Sequence, residues 1–89
     1  MEFEWDEAKR LSNIANHDID FFRARALFDG RPLLDFSSDR SGEQRFASTG
    51  IMEDLYYTVV WTWRGAIRRI ISVRRARDGE KRAYRSIHG

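Results

Sequence analysis

Between Leu55 and Arg75 the chain alternates twice around a turn signal, and this pattern constrains the fold more than any other feature. Leu55, Tyr57, Val59, Trp61 and Trp63 alternate with Tyr56, Thr58, Val60 and Thr62. Arg64-Gly65 then reads as a hairpin turn, and Ile67 to Arg75 as the returning strand. A period of two sends successive side chains to opposite faces, so this hairpin needs a sheet with one face covered by other elements.

The flanking sequence supplies the rest of that sheet and its cover. Leu33 to Phe36 reads as a short strand, with Pro32 at its start suiting an edge position. Ser37 to Gly42 reads as a polar loop, Gln44 to Ile51 as a second strand and Met52 to Asp54 as a tight connection. Ahead of them, Phe3 to Trp5 reads as a very short strand or an extended lead. Asp6 is an N-cap for a helix running to Asn16 or His17. Asp20 caps a second helix, Phe21 to Phe28, whose residues Phe21, Ala24, Leu27 and Phe28 share a face, and Asp29-Gly30 ends it. Asp78 to Ile87 forms a closing helix with Glu80, Ala83, Tyr84 and Ile87 along one side. The expectation is an α+β fold of two layers: two N-terminal helices, a four-stranded antiparallel meander and a C-terminal helix. With 89 residues and no repeat or linker, residues 1–89 form one domain.

The chain has no cysteine, which removes disulfides, thiolate nucleophiles and cysteine-ligated zinc. His17 and His88 stand far apart without metal-ligand spacing, so neither a metal nor another cofactor is expected. The acidic start, MEFEWDEAKR, has no apolar h-region, and no apolar run reaches the ~20 residues of a membrane span. A cytoplasmic protein without membrane contact is expected. The net charge of +2 hides an asymmetry: residues 1–43 hold six Lys/Arg against ten Asp/Glu, and residues 44–89 hold ten against four. Fourteen of the sixteen basic residues are Arg, whose planar fork suits phosphate or an acidic partner; a GC-rich genome yields the same bias.

Four groups of residues could carry chemistry. In Ile67 to Arg75, strict alternation places Ile67, Arg69, Ile71, Val73 and Arg75 on one face, the better core face by apolar count. The other face collects Arg68, Ile70, Ser72 and Arg74, arginines around a small hydroxyl; it reads equally as a phosphate site or a solvated face. On the first helix Asp6, Lys9, Asn13 and His17 form a polar stripe, either a satisfied structural network or part of a site. Glu80 and Tyr84 lie four apart beside Arg82 and Arg85, as a base and stacking platform or as a surface ion-pair pattern. Glu43 and Arg45 share a face at the start of the second strand.

Taken in order, these residues resemble the BrnT toxin family of bacterial toxin–antitoxin systems. The resemblance runs through Trp5-Asp6-Glu7, Lys9, Asn13, His17, Ile19, Phe21, Ala24, Phe28-Asp29, Glu43, Arg45 and Gly50. It closes on Arg69-Ile70-Ile71-Ser72-Val73-Arg74-Arg75-Ala76 with Glu80, Arg82 and Tyr84. It implies a RelE-like fold and a metal-independent ribonuclease that halts translation. It also implies neutralisation by a BrnA-type antitoxin, in a hetero-oligomer that meets operator DNA only through the antitoxin. The resemblance would give Arg74 charge stabilisation, helped by Arg45 and Arg75, with Glu80 or Glu43 as base and Tyr84 as stacking or proton-donating group. Arg68, Ser72, Arg82, Lys9 and His17 would complete the RNA contacts. The chain departs from the family where Asn16-His17-Asp18 replaces Lys-His-Gly and where Arg77 replaces a capping Thr, a role that Asp78 would then take. Two competing readings stay open: a catalytically degenerate toxin that only binds its antitoxin, and an RNA-binding module that leaves RNA intact.

Overall fold

A computed structural model describes residues 2–40 and 42–89. The elements follow in the order β1 (Phe3–Trp5), α1 (Glu7–His17), α2 (Phe21–Ala24), a 3₁₀ turn (Arg25–Phe28), β2 (Leu34–Arg40), β3 (Glu43–Met52), β4 (Leu55–Arg64), β5 (Ile67–Arg75) and α3 (Asp78–His88). The expected meander is present, with β2, β3, β4 and β5 pairing antiparallel in turn. The lead Phe3–Trp5 joins it as a parallel edge strand on β5, so the sheet is five-stranded and mixed, in the order β1-β5-β4-β3-β2.

The helix caps follow the sequence reading. The Asp6 carboxylate accepts the Ala8 and Lys9 amides, and the Asp20 carboxylate accepts the Phe22 amide. The second helix is shorter than expected, because after Ala24 the chain tightens into the 3₁₀ turn. The expected polar loop Ser37–Gly42 is largely strand. Ser37, Ser38 and Asp39 pair with Phe46, Arg45 and Gln44, and Ser41 lies outside the described residues. Polar residues suit an exposed edge strand, and the backbone ladder rather than side-chain propensity decides here. Asp78 is not the cap of α3. Arg77 holds that position, and Glu80 reaches back to accept its amide at 2.8 Å.

Two corrections reshape the site. The helices do not all cover one face. Ile19, Phe21, Ala24 and Leu27 pack with Tyr57, Val59, Trp61, Ile70 and Val73 to form the core. By alternation Thr58 and Thr49 face the other way, and there Glu80 of α3 meets Thr58. The molecule is therefore a sheet with helices on both sides.

The second correction is to the faces of β5. Val60 faces Ser72 but Trp61 faces Ile70, so Ile71 is an extra residue, a β-bulge. The bulge reverses the alternation. Arg68, Ile70, Val73 and Arg75 lie on the core side, and Ser72 and Arg74 on the other. Strict alternation had grouped Arg68 with Ser72 and Arg74, and Ile71 with Val73; an inserted residue leaves no mark in a pattern of apolar positions. Beyond Trp5 the outer edge of β5 is closed by α1: Asn13, buried, accepts the Val73 amide at 3.1 Å and donates to the Ile19 carbonyl at 2.9 Å. The polar stripe of α1 is thus a satisfied structural contact at Asn13.

Candidate nucleic-acid interface

On the face opposite the core, cross-strand pairing sets side chains in rows. One row runs Leu34, Thr49, Thr58, Arg74; the next runs Phe36, Ala47, Val60, Ser72; and Ser38 faces Arg45 in a third. The first row lies under α3. The second is open and low, floored by Ala47, Val60 and Ser72. Here lies a depression of about 480 Å³, lined also by Phe36, Ser38, Arg45, Ile71, Arg74 and Arg77. Arginines thus stand on both flanks of a trough floored by small side chains.

Arg74 is held in place from above. Glu80 accepts its Nη1 at 2.8 Å and its Nη2 at 2.9 Å, the bidentate geometry that favours guanidinium over ammonium. The same carboxylate accepts the Thr58 hydroxyl at 3.0 Å and the Arg77 amide at 2.8 Å, and Thr58 meets Thr49 at 2.8 Å. Chiefly through Arg74, and against the cost of burial, these donors hold the Glu80 carboxyl at about 2. A carboxylate so engaged is a poor proton acceptor at neutral pH. Its geometry is that of a bracket for Arg74.

A second depression, of about 210 Å³, continues the trough towards α1. Lys9, Ser12, Asn16 and His17 line it, and it shares Ile71 and Ser72 with the first. The bulge is the hinge between the two, a position where bulges re-aim side chains beside functional sites. Lys9 and His17 therefore do stand beside Ser72.

The remaining expected residues lie elsewhere. Arg68, 9% exposed, stacks its guanidinium over Phe28 at 3.9 Å and Trp61 at 4.2 Å on the core side. Arg75 lies over Tyr57 on that same side and donates to the Tyr56 carbonyl. Tyr84 is buried edge-on to Tyr56, its hydroxyl donating to the Pro32 carbonyl at 3.3 Å, which leaves no ring face for a stacked base. Glu43 is paired with Arg45 at 3.2 Å and Arg64 at 3.3 Å, outside the lining of the trough. Arg82 is exposed on α3, also outside that lining. Sequence reading missed Arg77, Phe36 and Ser38. The only signal for them was the departure at Arg77; the other two fell in a stretch assigned to a strand end and a loop.

No helix among the described residues is long and apolar enough to cross a membrane. No curated protein sequence matches the chain. A family model does: the one described as the ribonuclease toxin BrnT of type II toxin–antitoxin systems matches residues 5–80, from Trp5 at the end of β1 to Glu80 on α3.

Proposed function

Because the chain belongs to the BrnT family of ribonuclease toxins of type II toxin–antitoxin systems, we propose that it cleaves RNA in the trough flanked by Arg45, Arg74 and Arg77. Such a family implies an antitoxin protein as partner. The observation that carries the reading is the gathering of three arginines and the Ser72 hydroxyl on one open sheet face. In cleavage, the ribose 2′-oxygen forms a bond to the neighbouring phosphorus while the bond to the 5′-oxygen breaks, leaving a cyclic phosphate. The proton of the 2′-hydroxyl departs, and one is delivered to the leaving 5′-oxygen. Charge gathers on the phosphoryl oxygens, where fixed cations in a shaped site are most effective.

Arg74 fits this task because Glu80 holds it still. Glu80 takes two of the five guanidinium donors, and Arg75 O weakly takes a third at 3.4 Å, which leaves donors for a phosphate. Arg45 and Arg77 share the charge. Among the described side chains lining the two depressions, His17 alone belongs to a type that exchanges protons near neutral pH, and we assign it the proton transfer. This reading uses no metal, which cleavage in the presence of EDTA tests. The same reading has the protein arrest translation in the cytoplasm until a BrnA-type antitoxin binds it, in a complex whose antitoxin supplies the operator contact.

The engagement of Glu80 and the pairing of Glu43 favour one competing reading, in which the chain binds RNA or antitoxin without cutting. One experiment separates the two. Induced expression should arrest growth and be relieved by the neighbouring antitoxin gene. Purified protein should cut RNA with EDTA present, and Arg74→Ala and His17→Ala should abolish both effects. Growth without arrest and intact RNA would leave the binding-only reading.

A further inference from the structure

Phe36 stands at the open end of the trough, 44% exposed, in a row that otherwise carries Ala47, Val60 and Ser72. No other aromatic ring among the described residues packs on it, whereas Trp61, Trp63, Tyr56 and Tyr84 each have ring partners. β2 is the edge of the sheet, so nothing of the sheet lies beyond it. Strands lie about 4.8 Å apart, which puts Phe36 three spacings, roughly 14 Å, from Ser72. On one side of this line Ser38 and Arg45 form the neighbouring row, and on the other stand Arg74 and Arg77.

An exposed phenyl ring costs free energy in water unless something covers it. Its surroundings say what that is. A purely apolar partner would strand the arginines beside it, while a polyanion with flat apolar faces satisfies both. Nucleobases joined by phosphates have that chemistry. From this, and resting on the RNA reading above, we infer that the trough takes unpaired RNA, with Phe36 as the platform on which one base stacks while the adjoining phosphates lie between Arg45 and the Arg74–Arg77 flank. A base in a duplex is stacked on its neighbours and cannot offer its face to a side chain, so the site discriminates against paired RNA. The low floor gives the backbone room to cross from the ring towards Ser72, and the arginines are sequence-blind. Phe36 is a binding residue in this scheme, not a catalytic one.

The test uses a dye-labelled oligonucleotide, 2′-O-methylated throughout so that it cannot be cut, either alone or annealed to its complement. Fluorescence polarisation with the purified full chain should show at least tenfold tighter binding to the unpaired strand. Phe36→Ala and Phe36→Leu should each weaken that binding by about tenfold and leave duplex binding unchanged, whereas Phe36→Tyr should bind as the parent does. Leucine keeps the apolar bulk of the strand without a π-face, so its loss would not be a folding defect. Equal binding by Phe36→Leu and parent, or an equal loss on both forms of RNA, overturns the proposal. So does an unchanged affinity for RNA together with weakened binding of the antitoxin, which would make Phe36 a protein contact. Because the probe is uncuttable, a parent that fails to cleave RNA leaves this result standing, and a Phe36→Leu variant that binds and cleaves normally leaves the ribonuclease reading standing.

Discussion

Glu80 grips Arg74 through both carboxylate oxygens, at 2.8 and 2.9 Å, across the gap between α3 and β5. Its carboxyl is held at about 2 against an ordinary value of 4.5, so the native state binds the proton more weakly than the unfolded chain does. The stability this supplies is complete above about pH 4.5 and is lost as pH falls through about 2. Acid titration of the folded state should show that loss in the parent and a flatter profile in Glu80→Gln. Cleavage by Glu80→Gln should fall about 10²-fold through misplacement of Arg74, without moving the pH–rate profile near neutrality. A shifted profile would instead make Glu80 the base.

The bulge assigns the arginines to opposite faces, and salt dependence reads that assignment. Arg45→Ala and Arg77→Ala should each weaken RNA binding and lower the slope of log K against log[salt] by about one. Arg75→Ala should change neither, and Arg68→Ala should lower the melting temperature instead, because its guanidinium lies between Phe28 and Trp61.

Asn13 should matter to stability far from any substrate. Asn13→Ala leaves the buried Val73 amide and Ile19 carbonyl without their partner and should cost on the order of 2 kcal/mol or more in chemical denaturation. Asn13→Asp keeps an acceptor for Val73 but loses the donor to Ile19, and should also be destabilised.

Asp18 ends α1 in the left-handed region, at φ 56° and ψ 34°, its amide bonded to the Ile14 carbonyl at 2.9 Å. A side chain pays for that conformation where glycine does not. Asp18→Gly should therefore stabilise the fold by about 0.5–1 kcal/mol, visible as a higher melting temperature.

Tyr84→Phe tests a role that the buried position of Tyr84 argues against. Among the described residues the hydroxyl's hydrogen-bond partner is the Pro32 carbonyl, at 3.3 Å, so its removal should leave cleavage unchanged and cost no more than about 1 kcal/mol of stability. A large fall in cleavage with stability intact would return Tyr84 to the chemistry.

The elements themselves were legible because local chemistry marks them: Asp6 and Asp20 as caps, Gly65 in a turn, strict alternation from Leu55 to Trp63. Arg45, Arg74 and Ser72 were legible as candidates because basic and hydroxyl side chains in a strand stand out, and all three line the trough. What stayed hidden depended on partners distant in sequence. Phe3–Trp5, read as a very short strand or an extended lead, has its partner decided by the edge of β5 that receives it, and Ser37–Asp39 is strand because Gln44–Phe46 pair with it. The bonds of Glu80 to Thr58 and Arg74, which bracket Arg74, join three elements that no spacing rule connects.

Ile71 gives β5 the character of two strands spliced out of phase. Upstream of it, even-numbered positions belong to the interior; downstream, odd-numbered ones do. Deleting this single aliphatic residue would merge the two frames into one regular strand, with Val73 still towards the core and Arg74 still towards the trough, and would remove the bend between the two depressions. A one-residue deletion here should thus be better tolerated than one in the middle of β4, where no spare residue stands and every later side chain would change face.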